Sequence, residues 1–264
     1  MNLQLNGKLA LVTGSTAGIG FGIAQALAGE GARVIVNGRT SARVEEAIEK
    51  LRAINPAAQL VPFAADLSAV EAADSAAAEF PNVEILVNNL GTYAIKPFED
   101  ITDSDWQWLI ETNFMSGVRL SRYYLPRMKQ AGWGRIVFIS SESAVHIPTE
   151  MIHYGVTKTM QVALARGLAE TTAGTGVTVN SVLAGPTRSE GVEGFIESTA
   201  QSEGITAKQV EEGFFKRVRP GSLLQRFATV DEVAAMVAFV ASPLSSATNG
   251  AALRAEGGLL RSIL

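Results

Sequence analysis

Cysteine is absent from the 264 residues. That excludes disulfide scaffolds, iron–sulfur clusters, thiolate zinc sites and cysteine nucleophiles, and it fits a reducing compartment, the cytoplasm. Histidine occurs only twice, as His146 and His153. Seven residues apart and without an obvious third ligand, they are read as ordinary loop residues, so no metal is expected. Positive charge is scarce too: 22 Lys and Arg stand against 26 Asp and Glu, a net charge of −4. No basic stripe is available for nucleic acid. The segment Met1–Gly7 has no basic n-region, and the apolar run Leu9–Val12 is far too short for a signal peptide. One long uncharged stretch, Val233–Leu253, contains the loop chemistry SPLSSATNG and is not read as a membrane span.

What is present is apolar residues, 47% of the chain, enough for a large core and too many for disorder. Short apolar runs recur at Lys8–Val12, Arg33–Val36, Leu60–Ala64, Val83–Val87, Arg135–Ile139, Val177–Val182 and Ala251–Arg254. Helical patterns fill the gaps: Ile19–Gly29, Ser41–Ile54, Ser68–Phe80, Asp103–Gln130, Thr149–Thr172 and Val230–Ala241. Near-continuous apolar strands alternating with helices indicate an α/β fold, a doubly wound parallel sheet with helices on both faces. No linker breaks the pattern, so residues 1–264 read as a single domain. The segment Ser189–Ser222 interrupts it. Its Phe195, Ile196, Phe214 and Phe215 lie on an otherwise polar stretch. The readings are a surface excursion or a mobile substrate lid.

Thr13-Gly14-Ser15-Thr16-Ala17-Gly18-Ile19-Gly20 joins the first strand to the first helix. Glycines there let a backbone approach a pyrophosphate at the positive end of a helix. The residues expected to form this cradle are Gly14, Ser15, Thr16, Gly18, Ile19 and Gly20. The second strand ends in Asn37-Gly38-Arg39-Thr40, with no acidic residue to bind a ribose 2′-hydroxyl. Asn37 and Arg39 stand in that place, and a guanidinium suits a phosphate. The expected cofactor is therefore NADP(H), with NAD(H) as the alternative; a solvated surface arginine is the plainer reading of Arg39.

Tyr154 and Lys158 are spaced i, i+4, on one helical face. A neighbouring ammonium favours phenolate, and such a phenol can exchange a proton with a carbonyl or an alcohol. Ser140 and Ser141 end the fifth strand, Asn88-Asn89-Leu90-Gly91 ends the fourth, and Asn113 lies inside the long helix. Ligands of open α/β sheets bind beyond these strand ends.

In this order the motifs resemble the short-chain dehydrogenase/reductase family over essentially the whole chain, Lys8 to about Gly258. The resemblance rests on T-G-x3-G-I-G at Thr13–Gly20, N-N-x-G at Asn88–Gly91, Asn113, and S-x12-Y-x3-K at Ser141, Tyr154 and Lys158. It implies a Rossmann-type seven-stranded sheet and hydride transfer between NAD(P)(H) and a carbonyl/alcohol carbon. It implies a catalytic set of Asn113, Ser141, Tyr154 and Lys158: Tyr154 as acid/base, Lys158 lowering its pKa and binding the nicotinamide ribose, Ser141 on the substrate oxygen, and Asn113 supporting a relay water. It places Asp66 and Leu67 at adenine, Asn88 and Gly91 along the cofactor, and Thr187 at the nicotinamide amide. A homotetramer or homodimer is also implied. Leu90, Ala144, Ala184, Ser189 and Thr157 depart from common family residues, all outside the catalytic set.

The leading reading is a small-molecule ketone or 3-oxoacyl reductase. Lys208, Lys216, Arg217 and Arg219 are the candidates for a basic patch meeting an acyl carrier. The alternatives are a sugar or polyol dehydrogenase, or a non-catalytic NADP(H)-sensing regulator. Trp106 and Trp108 read as packing or interface residues.

Overall fold

The computed structural model describes residues 2–263. Seven parallel strands form one sheet in the order β3-β2-β1-β4-β5-β6-β9. They are β1 (Leu9–Val12), β2 (Arg33–Gly38), β3 (Gln59–Ala64), β4 (Ile85–Asn88), β5 (Gly134–Ser141), β6 (Val177–Ala184) and β9 (Ala252–Ala255). Every residue of β5 and β6 is buried, as a sheet covered on both faces requires. The period-2 geometry of strands sorts the side chains into two layers. On β1, Ala10 and Val12 pack with Val34, Val36 and Ile85 beneath α1 (Gly18–Gly29), α2 (Ser41–Ile54) and α9 (Val230–Val240). Leu11 points the other way and joins Ile35, Leu86, Ile136 and Phe138 beneath α3 (Val70–Glu79), α5 (Ser116–Ala131) and α6 (Ile152–Glu170).

The order reverses at β1, which pairs with both β2 and β4. Connections leave these neighbouring strands toward opposite faces, so a crevice opens at their carboxyl ends. Of the residues expected to carry the chemistry, the glycine loop, Gly91, Ser141, Tyr154, Lys158 and Thr187 line that rim.

Two elements differ from expectation. The helix read as Asp103–Gln130 is three pieces: α4 (Asp103–Leu109), a π-helical turn (Ile110–Met115), and α5. Thr102 caps α4 with a reciprocal capping box to Asp105. The π turn carries Asn113, and such turns release backbone groups that an unbroken α-helix would occupy.

The segment Ser189–Ser222 is built of regular elements. It folds as α7 (Glu190–Glu203) and α8 (Ala207–Arg217), each begun by a side-chain cap, Ser189 and Thr206. Ile196, Val210, Phe215 and Phe227 form a small core between them. Most of its apolar residues therefore cover one another; Phe195 stays exposed. Two short strands, β7 (Thr187–Arg188) and β8 (Ala228–Thr229), pair in parallel and bind the base of the segment to α9. The uncharged stretch after Val233 is the end of α9, a loop and β9. No helix among the described residues is long and apolar enough to cross a membrane.

Candidate active site

A cleft of about 380 Å³ lies across the carboxyl edge of the sheet. One wall is the glycine loop and the start of α1: Gly14, Gly18, Ile19 and Gly20. The loop is tightly drawn. Gly14 and Gly18 have φ of 61° and 57°, the left-handed region that glycine tolerates. A Cβ on Gly20 would come within 2.4 Å of the Gly14 carbonyl oxygen. Ala17 offers α1 no side-chain cap, and the first turn carries no acidic residue. The helix therefore presents unpaired N–H groups and positive potential to the cleft. Such a cradle fits a dinucleotide pyrophosphate.

Asn37 holds this loop from beneath. Its Oδ1 accepts from Gly14 N (3.0 Å), and its Nδ2 donates to the carbonyls of Phe63 (3.2 Å) and Ala65 (3.1 Å). Its own N–H donates to Ser15 Oγ (2.9 Å). Asn37 and Ser15 are both buried. Their side chains are spent on shaping the cradle, so a contact of either with a cofactor falls to its backbone. Thr16 packs over Gly38, where a Cβ would clash at 2.4 Å. Arg39 is exposed at the end of β2.

Two further expectations change. The side chain of Asn88 turns away from the cleft and donates to Ser121 Oγ on α5 (3.3 Å). Asn89 lines the cleft instead; its Nδ2 donates to the Thr13 and Gly14 carbonyls (2.8 and 3.1 Å). Adjacent strand residues face opposite sides, so only one of the two asparagines can look at the rim. Leu67 is buried in the core beside Phe63 and Ala73. Asp66 is exposed and accepts from the Ser68 N–H and hydroxyl at 3.1 and 2.7 Å, a local turn.

The opposite wall brings Ser141, Tyr154, Lys158, Gly91 and Thr187 together. Ser141 ends β5, and Tyr154 and Lys158 rise on α6. Ser140 anchors that helix by donating to the Lys158 carbonyl (2.9 Å). Lys158 is buried, and its Nζ donates to the Ile139 carbonyl (2.9 Å) and lies 5.7 Å from the Tyr154 ring. Burial pushes its pKa down to about 8. The Tyr154 phenol is pushed up, first by burial and then by the Glu142 carboxylate, despite a hydrogen bond with Ser141 that works the other way. At this separation the ammonium does not overcome those two effects, so the expected lowering by Lys158 is not a property of the protein groups alone.

Asn113 is fully engaged. Its Oδ1 accepts from Thr92 N (2.8 Å), and its Nδ2 donates to the Thr92 carbonyl (2.9 Å) and Thr157 Oγ1 (3.0 Å). Its backbone carbonyl, released by the π turn, accepts from Gln161 Nε2 (2.5 Å). The residue thus locks the strand-four rim to α6.

Sequence reasoning missed several neighbours. Tyr93 stacks edge-on to Tyr154, with centroids 6.1 Å apart. Gln161 follows Lys158 by one helical turn, which a search for buried polar residues on that face would have found. Arg219, read as part of a basic patch, is buried between Glu142 (3.1 Å) and Glu150 (3.3 Å). Lys208 and Lys216 both approach Glu212. Glu212 sits between the two lysines, and Arg219 is withdrawn from the surface. His153 is no loop residue either: it is buried in α6, edge-on to Trp106 at 5.9 Å, and burial lowers its pKa.

Comparison with known proteins agrees with this geometry. The model of the family described as short chain dehydrogenase matches residues 8–199. The uncharacterized oxidoreductase YvaG of Bacillus subtilis is 49% identical, with 100% of each chain covered. A D-beta-hydroxybutyrate dehydrogenase of Cupriavidus necator is 35% identical over 97% of this chain and 98% of its own. The crystal structure of an L-sorbose reductase from Gluconobacter frateurii, complexed with NADPH and L-sorbose, superposes with a TM-score of 0.92 at 28% identity, covering 100% of both chains. A glycine cradle facing a serine, tyrosine and lysine across one cleft, in a chain so matched from end to end, places this protein in the short-chain dehydrogenase/reductase family of oxidoreductases.

Proposed function

We propose that the protein is an NADP(H)-dependent reductase that interconverts a small-molecule carbonyl and its alcohol. The observation that carries this reading is the pairing across one cleft of an uncapped helix terminus with the hydroxyls of Ser141 and Tyr154. The residues fit the cofactor. The α1 N-terminus and Gly14–Gly20 would hold the pyrophosphate, Lys158 the nicotinamide ribose, and Thr187 the amide. Bound there, the nicotinamide supplies the hydride.

The chain's own groups handle the proton. Ser141 and Tyr154 flank one point on the rim and would receive the substrate oxygen between them. Burial and Glu142 keep the phenol protonated at neutral pH, the form that donates to a carbonyl oxygen. Lys158, with a pKa near 8, remains an ammonium at pH 7 and favours the phenolate left behind.

Arg39 supports NADP(H) over NAD(H), because no carboxylate at the end of β2 waits for a free ribose hydroxyl. The α7–α8 segment is read as the substrate lid within a single domain, and the assembly as a cytoplasmic homotetramer or homodimer joined through the long helices. A sugar or polyol dehydrogenase remains the second reading, favoured by the structural likeness to a sorbose reductase.

The test is loss of NADPH absorbance against diketones, 3-oxoacyl thioesters and keto sugars. Turnover on any class supports the reading and chooses between the two. NADPH binding with no turnover on every class replaces it with a regulator. Tyr154→Phe should lower kcat by about 10²–10⁴-fold and leave NADPH affinity nearly unchanged; near-normal reduction by that variant refutes the acid/base role.

A further inference from the structure

A buried ionic cluster ties the α7–α8 segment to the catalytic serine. Glu142 follows Ser141 directly and is almost fully buried. Its Oε2 accepts from the Ser141 hydroxyl and from Ser143 N (2.9 Å). Its Oε1 accepts from Arg219 Nε (3.1 Å). Arg219 is itself buried and sits two residues past the end of α8. Its other arm reaches Glu150 (3.3 Å), in the turn that leads into α6 and Tyr154. One guanidinium therefore meets two carboxylates that lie in the stretch between Ser141 and Tyr154. A guanidinium so placed has a strong reason to stay: its removal leaves uncompensated buried charge.

We propose that Arg219 and Glu142 are positioning residues: Arg219 holds the Glu142 carboxylate, which directs the Ser141 hydroxyl, so that docking of the α7–α8 segment and alignment of the catalytic serine are one event. The proposal deepens the reductase reading and rests on it for its kinetic arm. Without substrate the serine proton points at Glu142. Ser143 N also donates to the serine oxygen (3.1 Å), which fixes that oxygen at the rim, and the hydroxyl turns its proton from Glu142 to the substrate oxygen or the phenolate when either is present. The charged and titratable groups around that phenol are Glu142, Arg219, Tyr93 and Lys158. Glu142 and Arg219 act on it with opposite sign.

The experiment compares Glu142→Gln with Arg219→Met in the full-length enzyme, by pH–rate profile and by hydrogen exchange. Reduction needs the protonated phenol and the Lys158 ammonium, so its rate falls as pH rises through the titration of this coupled pair, on which both removed charges act. Glu142→Gln removes a charge that opposes phenolate, and the alkaline limb should move toward acid. Arg219→Met removes one that favours it, and the limb should move toward alkali. Both should lower kcat about tenfold or more, with NADPH affinity changed less than about twofold. Exchange should accelerate in residues 207–224 in both. Limbs that coincide with wild type, or move the same way, overturn the positioning role. Unchanged exchange overturns the docking role. Should Arg219→Met fail to fold, Glu142→Gln decides alone. Exchange is read without turnover, so an inactive wild-type enzyme would defeat the reductase reading and still decide the docking.

Discussion

Lys158 illustrates how a side chain proposed for catalysis destabilises its own fold. Its ammonium is buried with one carbonyl, that of Ile139, as its hydrogen-bond partner, and its pKa drops from 10.5 to about 8. The unfolded chain keeps its proton to the higher pH. Between about pH 8 and 10.5 the unfolded state therefore binds more protons, and the lysine's contribution makes folding more favourable as pH rises. At pH 7 the buried charge costs stability. We expect Lys158→Met to stabilise the cofactor-free protein by roughly 1–3 kcal/mol at pH 7 while abolishing turnover, and to flatten the rise between pH 8 and 10.5. Urea melts at pH 7 and pH 9.5 measure both; a destabilised variant at pH 7 would show that the Ile139 hydrogen bond outweighs the charge. Asn37 gives the opposite lesson. Its two donors to Phe63 and Ala65 and its acceptor to Gly14 are all in use. Asp there would bury a carboxylate against two carbonyls, so exchange to Asp is a destabilising change and not a clean switch of cofactor preference. Residue spacing made part of the proposed catalytic set legible: Ser141, Tyr154 and Lys158 meet at one cleft, while Asn113 sits behind it, bonded to Thr92 and Thr157. It could not show which of Asn88 and Asn89 faces the rim, because one register step decides that.

At the level of elements, the strand–loop–helix at residues 9–29 was readable because its glycines lie between an apolar run and an Ala-rich helix. The structure adds the reason for each glycine. Gly20 sits where a Cβ would meet the Gly14 carbonyl and Asn89 Nδ2, both at 2.4 Å. Backbone on one side and a doubly bonded asparagine on the other leave no room to relax. We expect Gly20→Ala to open the cradle, weakening NADPH binding at least about tenfold, a cost of about 1.4 kcal/mol. Gly167, on the exposed part of α6 with nothing near a Cβ, is the control; there Ala should stabilise by about 0.5–1 kcal/mol. Fluorescence titration with NADPH separates the two, and equal affinity in Gly20→Ala and wild type would remove the loop from the binding site. Other elements were harder to read. A π turn leaves no mark on hydrophobic periodicity, so Asp103–Gln130 reads as one helix. The α7–α8 segment hides because its small core is shared with Phe227, beyond the segment's own end. Its caps, Ser189 and Thr206, were the readable signal that a composition-based reading passes over.

For the whole molecule, the cleft is assembled from separate parts of the chain: the glycine loop before residue 21, the segment that follows β4 at residues 89–93, and the serine–tyrosine–lysine wall after residue 138. A ligand spanning them must therefore stabilise the entire sheet and not one end of it. Binding to the folded state alone adds about 2.7 kcal/mol at a hundred times Kd. A chain of this size gains about 2–4 °C per kcal/mol, so saturating NADP+ should raise Tm by about 5–10 °C in one cooperative transition. NAD+ at the same concentration should give a smaller shift. On the proposed reading the difference rests on Arg39, which stands exposed at the end of β2, so that its exchange tests the phosphate with little disturbance of the core. Arg39→Leu should bring the NADP+ shift down to within about 1–2 °C of the NAD+ shift and leave the NAD+ shift and the ligand-free Tm unchanged. Scanning calorimetry in a phosphate-free buffer reads all of these. Equal shifts for the two cofactors in the wild-type protein would end the NADP(H) assignment, and an NADP+ advantage that survives Arg39→Leu would move it to another residue.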